Sequence, residues 1–236
     1  NKVLAARGEK IFSSASTDLG TGANNAIAAN TTMTGSGTIT VKSTTGFSSS
    51  GTLQIDSEQF TYTGVTSTTF TGVTRAANST SAAAHTATSD SSRTVVSESW
   101  TERDTGRTNA GKYSFERFNF DGTEKIVVVD GVNDPTVFNS SLSATDVTAS
   151  AVEGASIVVS FREHMFYAGM SSTPQEVVFS QPFDEDAFSS GSGAGSFKVD
   201  DTVVGLKVFR DNLFIFCENR IFKLSGSSSA NFAVSA

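Results

Sequence analysis

The sequence predicts an all-β protein, and three observations carry that reading. Apolar and polar residues alternate over short runs, each about four to six residues long and bounded by Gly, Ser or Thr clusters. Twenty glycines against 3 prolines mark many tight turns. A strand–turn–strand unit also recurs, at steps of 39 and 48 residues from Val127 to Phe166 to Phe214. A period of about 40–50 residues holding several short strands is what a β-propeller blade needs. The expected architecture is therefore a propeller-like body, partial or complete, carrying an inserted small β-module. A β-sandwich meander fits the same strands and stands as the alternative.

The elements follow in order. Val3 to Phe12 is a short strand candidate broken at Gly8, and residues 13–36 are small and polar, the composition of a linker. Residues 1–34 thus read as the first strand or strands of the body plus a linker. The module is expected at 35–93. It starts with Ile39-Thr-Val41 and a turn at Thr44-Thr-Gly-Phe47. Next comes the hairpin Gly51-Thr-Leu-Gln-Ile-Asp-Ser-Glu-Gln-Phe-Thr-Tyr-Thr-Gly64, whose apolar face switches across Asp56-Ser57-Glu58. Residues 94–236 form the propeller-like body, expected to continue beyond the chain end. Glu124-Lys-Ile-Val-Val-Val-Asp130 is almost continuously apolar, hence buried on both sides. The repeat units are Ile126–Gly131 with Thr136–Phe138, His164–Gly169 with Glu176–Ser180, and Leu213–Cys217 with Arg220–Gly226. Phe214 and Phe216 are expected in the core, where truncation to Ala costs about 3–5 kcal/mol.

Composition narrows the function. The chain has 236 residues, a net charge of −7 and 19 Phe against 3 Tyr and 1 Trp. An acidic chain does not offer the basic stripe that nucleic-acid binding requires. The lone cysteine, Cys217, cannot form a disulfide within the chain and sits in an apolar run. The sequence contains no apolar run of about eighteen residues, so no membrane-spanning helix is expected.

Two segments carry a resemblance. Phe161-Arg-Glu-His-Met-Phe-Tyr-Ala-Gly169 with Pro174–Asp184, and Gly195–Phe209 with Asn212–Gly226, resemble the tail nozzle or tail tubular proteins of short-tailed bacteriophages and related neck and tail-hub proteins. The similarity covers roughly residues 110–236. The hairpin Gly51–Gly64, with Phe70-Thr-Gly-Val-Thr-Arg75 and Ala84-His85, resembles a small β-module that recurs in phage virion proteins. That module usually has Gly where Ala76 stands, and a closing Gly where Thr88 stands. The resemblance implies a structural virion protein located in the phage tail or neck. It would self-associate in a ring, expected to be a homo-hexamer, around the DNA exit channel. It would contact adaptor and tail-fibre proteins and let DNA pass without sequence-specific binding. A receptor-binding tail adhesin recognising a host surface glycan is the alternative.

No catalytic, cofactor-binding or metal residue is expected. His85 and His164, 79 residues apart, have no metal-ligand spacing. His85 is instead expected to seat against Arg75 and Glu58 and close the module. Asp184-Glu-Asp186 and Asp200-Asp201 could in principle serve a polysaccharide-degrading enzyme or bind calcium. They read as acids in solvated loops. Gly191-Ser-Gly-Ala-Gly-Ser196 lacks the Lys and helix of a phosphate loop and precedes a strand, so it reads as a turn.

Overall fold

The structure is a computed structural model that describes residues 2–20, 27–87, 94–97, 100–110 and 112–236. Thr88, the expected module end at Arg93, residues 21–26 of the expected linker, and Glu98-Ser99 lie outside the described residues. The fold is all-β. It divides into two compact units, Asn1–Ala5 with Ile11–Arg103, and Ala6–Lys10 with Asp104–Ala236.

The first unit is built on β1 (Lys2–Arg7), β2 (Lys10–Asp18), β3 (Thr34–Thr40), β4 (Gly51–Ile55), β5 (Glu58–Tyr62), β6 (Gly64–Val65), β7 (Thr69–Thr74), β8 (Thr94–Ser97) and β9 (Thr101–Asp104). They form one sheet in the order β1-β2-β8-β4-β5-β7-β3, with β6 on β7 and β9 on β2. The β4–β5 hairpin pairs Leu53 with Phe60 and Ile55 with Glu58, leaving Asp56-Ser57 as a two-residue turn. All four of those paired side chains are buried, so the switch of face read across Asp56–Glu58 is a chain reversal. Leu53, Ile55, Phe60, Tyr62, Phe70 and Val95 meet in one core, and Phe70 touches the rings of Phe47 and Tyr62 at 4.9 and 4.8 Å.

This unit draws on more of the chain than expected. Residues 10–18 are a strand, not a linker, and Leu19, Ile27 and Met33 enter the module's core. Composition misleads there because Ser13 and Ser14 are buried polar groups with partners. Ser13 Oγ accepts from Arg103 Nε at 2.7 Å, and Ser14 Oγ donates to the Ser97 carbonyl at 2.9 Å. Thr94–Ser97 pairs with β2 and β4 and belongs to this sheet rather than to the second body.

Among its described residues, the second unit contains three four-stranded antiparallel sheets in chain order. The first is β10 (Ser114–Phe118), β11 (Lys125–Val129), β12 (Thr136–Phe138) and β13 (Ala144–Asp146). The second is β14 (Ile157–Phe161), β15 (His164–Ala168), β16 (Glu176–Phe179) and β17 (Gly195–Lys198). The third is β18 (Val203–Phe209), β19 (Asn212–Cys217), β20 (Ile221–Ser225) and β21 (Ala233–Ser235). Each strand pairs with the next, so each sheet is a simple meander. The strand pairs read from sequence are the two central strands of each sheet.

The sheets stack through their first strands, β10 against β14 and β14 against β18. Val127, Val129 and Phe118 of the first sheet meet Met165 and Tyr167 of the second. Phe161, Phe166 and Ala168, on the second sheet's other face, meet Leu213, Ile215 and Cys217 of the third. The third sheet's buried face is therefore not the one expected. Leu213, Ile215 and Cys217 are buried, Phe214 is half-buried and Phe216 is exposed. In Leu-Phe-Ile-Phe-Cys both faces are apolar, so alternation alone cannot choose between them.

Candidate functional site

In the first unit the chemistry-bearing residues converge on Glu58, which stands on the apolar face of β5 at the end of the hairpin. Arg75 follows β7 and places its guanidinium edge-on to that carboxylate. Nε donates to Glu58 Oε1 at 2.8 Å and Nη2 to Oε2 at 2.7 Å. The remaining Arg75 donors reach the carbonyls of Ala28, Thr31 and Ala83. Glu58 also accepts from the backbone N–H groups of Ala76 and Ala83, at 3.0 and 2.8 Å. His85 completes the group: Nε2 lies 2.9 Å from Glu58 Oε2, and Nδ1 lies 2.8 Å from Asp56 Oδ2. The expected seating of His85 against Arg75 and Glu58 is what the structure shows.

Burial by itself would raise the Glu58 pKa. Arg75, the two backbone donors and His85 outweigh it and hold the carboxyl at about 2. Each of the five guanidinium N–H groups and both carboxylate oxygens are engaged, so the cluster offers little free bonding capacity to a ligand. It is a staple joining β5, the end of β7 and the 75–85 loop.

A second arginine staple, in the second unit, escaped the sequence reading. Arg107 is buried and bonds Asp130 Oδ2 through Nη2 at 2.8 Å, Asp104 Oδ2 through Nη1 at 2.8 Å, and the Asp134 carbonyl. Burial would lower the Arg107 pKa, but Asp104 and Asp130 raise it beyond the ordinary value. Asp130 also caps the turn after β11, accepting from Val132 and Asn133 N–H. Asp104 is three residues away, across the Asp104-Thr-Gly-Arg107 turn, but Asp130 and Asp134 lie 23 and 27 residues on, and the sequence signal for them is an aspartate closing an apolar strand. A cleft of about 170 Å³ beside Arg107 is lined by Asp104, Asp134 and Asp146. Burial and the nearby Glu153 and Asp146 push the Asp134 carboxyl upward.

The other expected residues fall as follows. His164 is buried, with Nδ1 at 2.6 Å from the Ser180 carbonyl and its ring among Phe166, Phe179 and Phe232. Of the acids read as solvated, Glu185 is buried and accepts from Lys125 Nζ at 2.8 Å, which corrects that reading. Asp184 hydrogen-bonds Asp186 and raises its pKa. Asp200 pairs with Arg220, and Asp201 accepts from the backbone N–H groups of Thr202 and Asn219. Residues 190–192 form a 3-10 turn leading into β17. Cys217 is buried as a free thiol whose pKa is raised by burial and by Asp201 and Asp200.

A hollow of about 350 Å³ in the second unit has Met170, Phe179 and Phe188 on its walls, with the Glu176 carboxylate among them. That carboxylate accepts from Ser196 Oγ at 2.7 Å. Among the described residues, no group of three or more His, Cys, Asp or Glu is placed to hold a metal ion, and no helix is long and apolar enough to cross a membrane. The remaining feature is the outward face of the third sheet, where Phe209, Phe214 and Phe216 line an open groove with Lys207. Comparison with family models and with curated proteins finds no match for the chain.

Proposed function

We propose that the protein is a structural component of a tailed-phage virion, in the tail nozzle or neck, working as part of a ring around the DNA exit channel. One observation supports this most: residues 114–235 form three successive four-stranded meanders stacked through their first strands, the last with an apolar face open. In a propeller-like body each such sheet buries its faces against neighbours. The same residues carry the resemblance to nozzle and neck proteins. The function is mechanical: the sheets supply a rigid wall, the two arginine staples lock the loops, and the ring joins head-side to tail-side partners. A net charge of −7 suits a wall past which phosphate slides without sticking.

Imaging tests the reading. Class averages of the purified protein should show closed rings with one rotational symmetry, and a label in the 35–93 segment should decorate virions at the neck or nozzle. A uniformly monomeric protein, or a label confined to separate distal fibres, would overturn it. The fibre result would favour the adhesin.

A further inference from the structure

The register of β16 with β17 puts Glu176, Val178, Ser196 and Lys198 on one face of the second sheet. There the hollow of about 350 Å³ is walled by the Ser150-Ala151 turn, by Met170, Ser172 and Thr173 between β15 and β16, and by Phe188 and Ser190. A smaller cleft of about 190 Å³ is lined by Pro174, Gln175 and Lys198. Ser172, Thr173 and Glu176 border both spaces, which are therefore two lobes of one cleft with the carboxylate between them. The first lobe has the size of small-molecule sites, which run from about 300 to 1,000 Å³.

Glu176 is the polar centre, with its side chain only 19% exposed. Oε1 accepts from Ser196 Oγ at 2.7 Å, on the side of the first lobe. Lys198 Nζ stands 4.0 Å from Oε2, on the side of the second lobe and beyond hydrogen-bond reach. Among the described residues no other donor reaches the carboxylate, so most of its accepting capacity is unused. Hydroxyls of Ser150, Ser172, Thr173 and Ser190 stand around it. The floor is apolar, made by Met170, Val178 and Phe188, whose ring packs on Tyr167 at 5.8 Å. Gly195 bares the Phe179 ring beside them, since a Cβ there would meet that ring at 2.8 Å.

This chemistry selects an occupant. An apolar ligand would strip water from Glu176 and return no hydrogen bond. An anion would meet the carboxylate's charge. An amine would satisfy Glu176 but accept nothing from the hydroxyls or Lys198, and a peptide amide offers one donor where the carboxylate takes two. A sugar ring has adjacent hydroxyls that fork onto one carboxylate, oxygens that accept, and a C–H face that suits an aromatic ring. We propose that this cleft binds a neutral oligosaccharide. One ring lies on Phe188 and donates two hydroxyls to Glu176, and the next ring reaches Lys198.

The test uses the full chain and an array of neutral gluco-, galacto- and manno-oligosaccharides with their N-acetylated forms. Trigalacturonate, butylamine and a capped alanine tetrapeptide are the competing probes. Titration calorimetry should show one or more neutral oligosaccharides binding at least about tenfold more tightly than any competing probe. Glu176→Gln keeps the side chain's shape but loses the charge-assisted bonds, and should weaken binding about tenfold. Ser172→Trp, at an exposed position on the rim, should fill the mouth and abolish binding with the melting midpoint unchanged. Ala151→Trp, exposed on the opposite wall, replaces it if circular dichroism shows a disturbed fold. Three results would overturn the proposal: no neutral oligosaccharide saturating the protein up to about 10 mM, a competing probe binding as tightly, or sugar binding that survives the rim tryptophan. The measurement needs no assembly, so it fails or succeeds separately from the search for rings.

Discussion

Glu58 shows how one residue can hold a loop-rich module together. It is buried and paired with Arg75, so Glu58→Gln leaves the guanidinium without its countercharge. The expected cost is about 3–5 kcal/mol, as for breaking any buried pair from one side, read as a lower urea midpoint for the first unit. The sign with pH follows from the carboxyl's shift. Its pKa in the fold is about 2, below the ordinary 4.5, so the unfolded chain takes up the proton first as pH falls. The contribution is present in full above pH 4.5 and is lost progressively as pH falls toward 2; Glu58→Gln should flatten that slope. Ala76, next to the staple, has φ 55°, a left-handed conformation that glycine adopts more readily. Its N–H donates to Glu58, so the conformation is fixed by the cluster. Ala76→Gly should stabilise the first unit by about 0.5–1 kcal/mol, the relief of strain less the added freedom of the unfolded chain. A drop in midpoint would show that position 76 is unstrained. This cluster was legible in the sequence because the residues that carry it sit in a recognisable order, hairpin then arginine then histidine. The Arg107–Asp130 pair was not, because two charged residues 23 apart have no local pattern to join them.

The strands of the second unit were legible as elements, but their faces were only partly so. Lys125–Val129 and His164–Ala168 are buried on both sides, so their continuous apolar runs name them as central strands without any choice of face. Asn212–Cys217 has the same look, yet only Leu213, Ile215 and Cys217 are covered. Hydrophobicity records which faces are suited to contact, whereas burial records which contacts the chain makes with itself. Ile215→Ala should therefore cost about 2–5 kcal/mol, while Phe216→Ala, on the open face, should cost well under that in the isolated protein. Equal losses in thermal unfolding would mean that the outward face is packed. The linker reading of residues 13–18 failed for a different reason. Serines count as surface residues in a composition, but Ser13 and Ser14 have buried hydrogen bonds that composition cannot show.

At the scale of the whole molecule, the cores are the deciding fact. One hydrophobic cluster is drawn entirely from residues between Leu19 and Val95, and the other two from residues between Phe118 and Leu224. The charged staples respect the same division, with Glu58–Arg75–His85 in the first unit and Arg107–Asp130 in the second. Cooperativity comes from shared buried surface, and a unit with its own core can melt as its own transition. Calorimetry should resolve two endotherms. Trp100, the only tryptophan in the sequence, lies in the first unit and reports its unfolding by fluorescence. Glu58→Gln should move the Trp100 transition and leave the other in place, and Ile215→Ala should do the reverse. If either substitution moved both transitions together, the two sets of buried residues would have to share one cooperative core. The independent melting of the small module, and the separate status of the stacked sheets, would then both be lost.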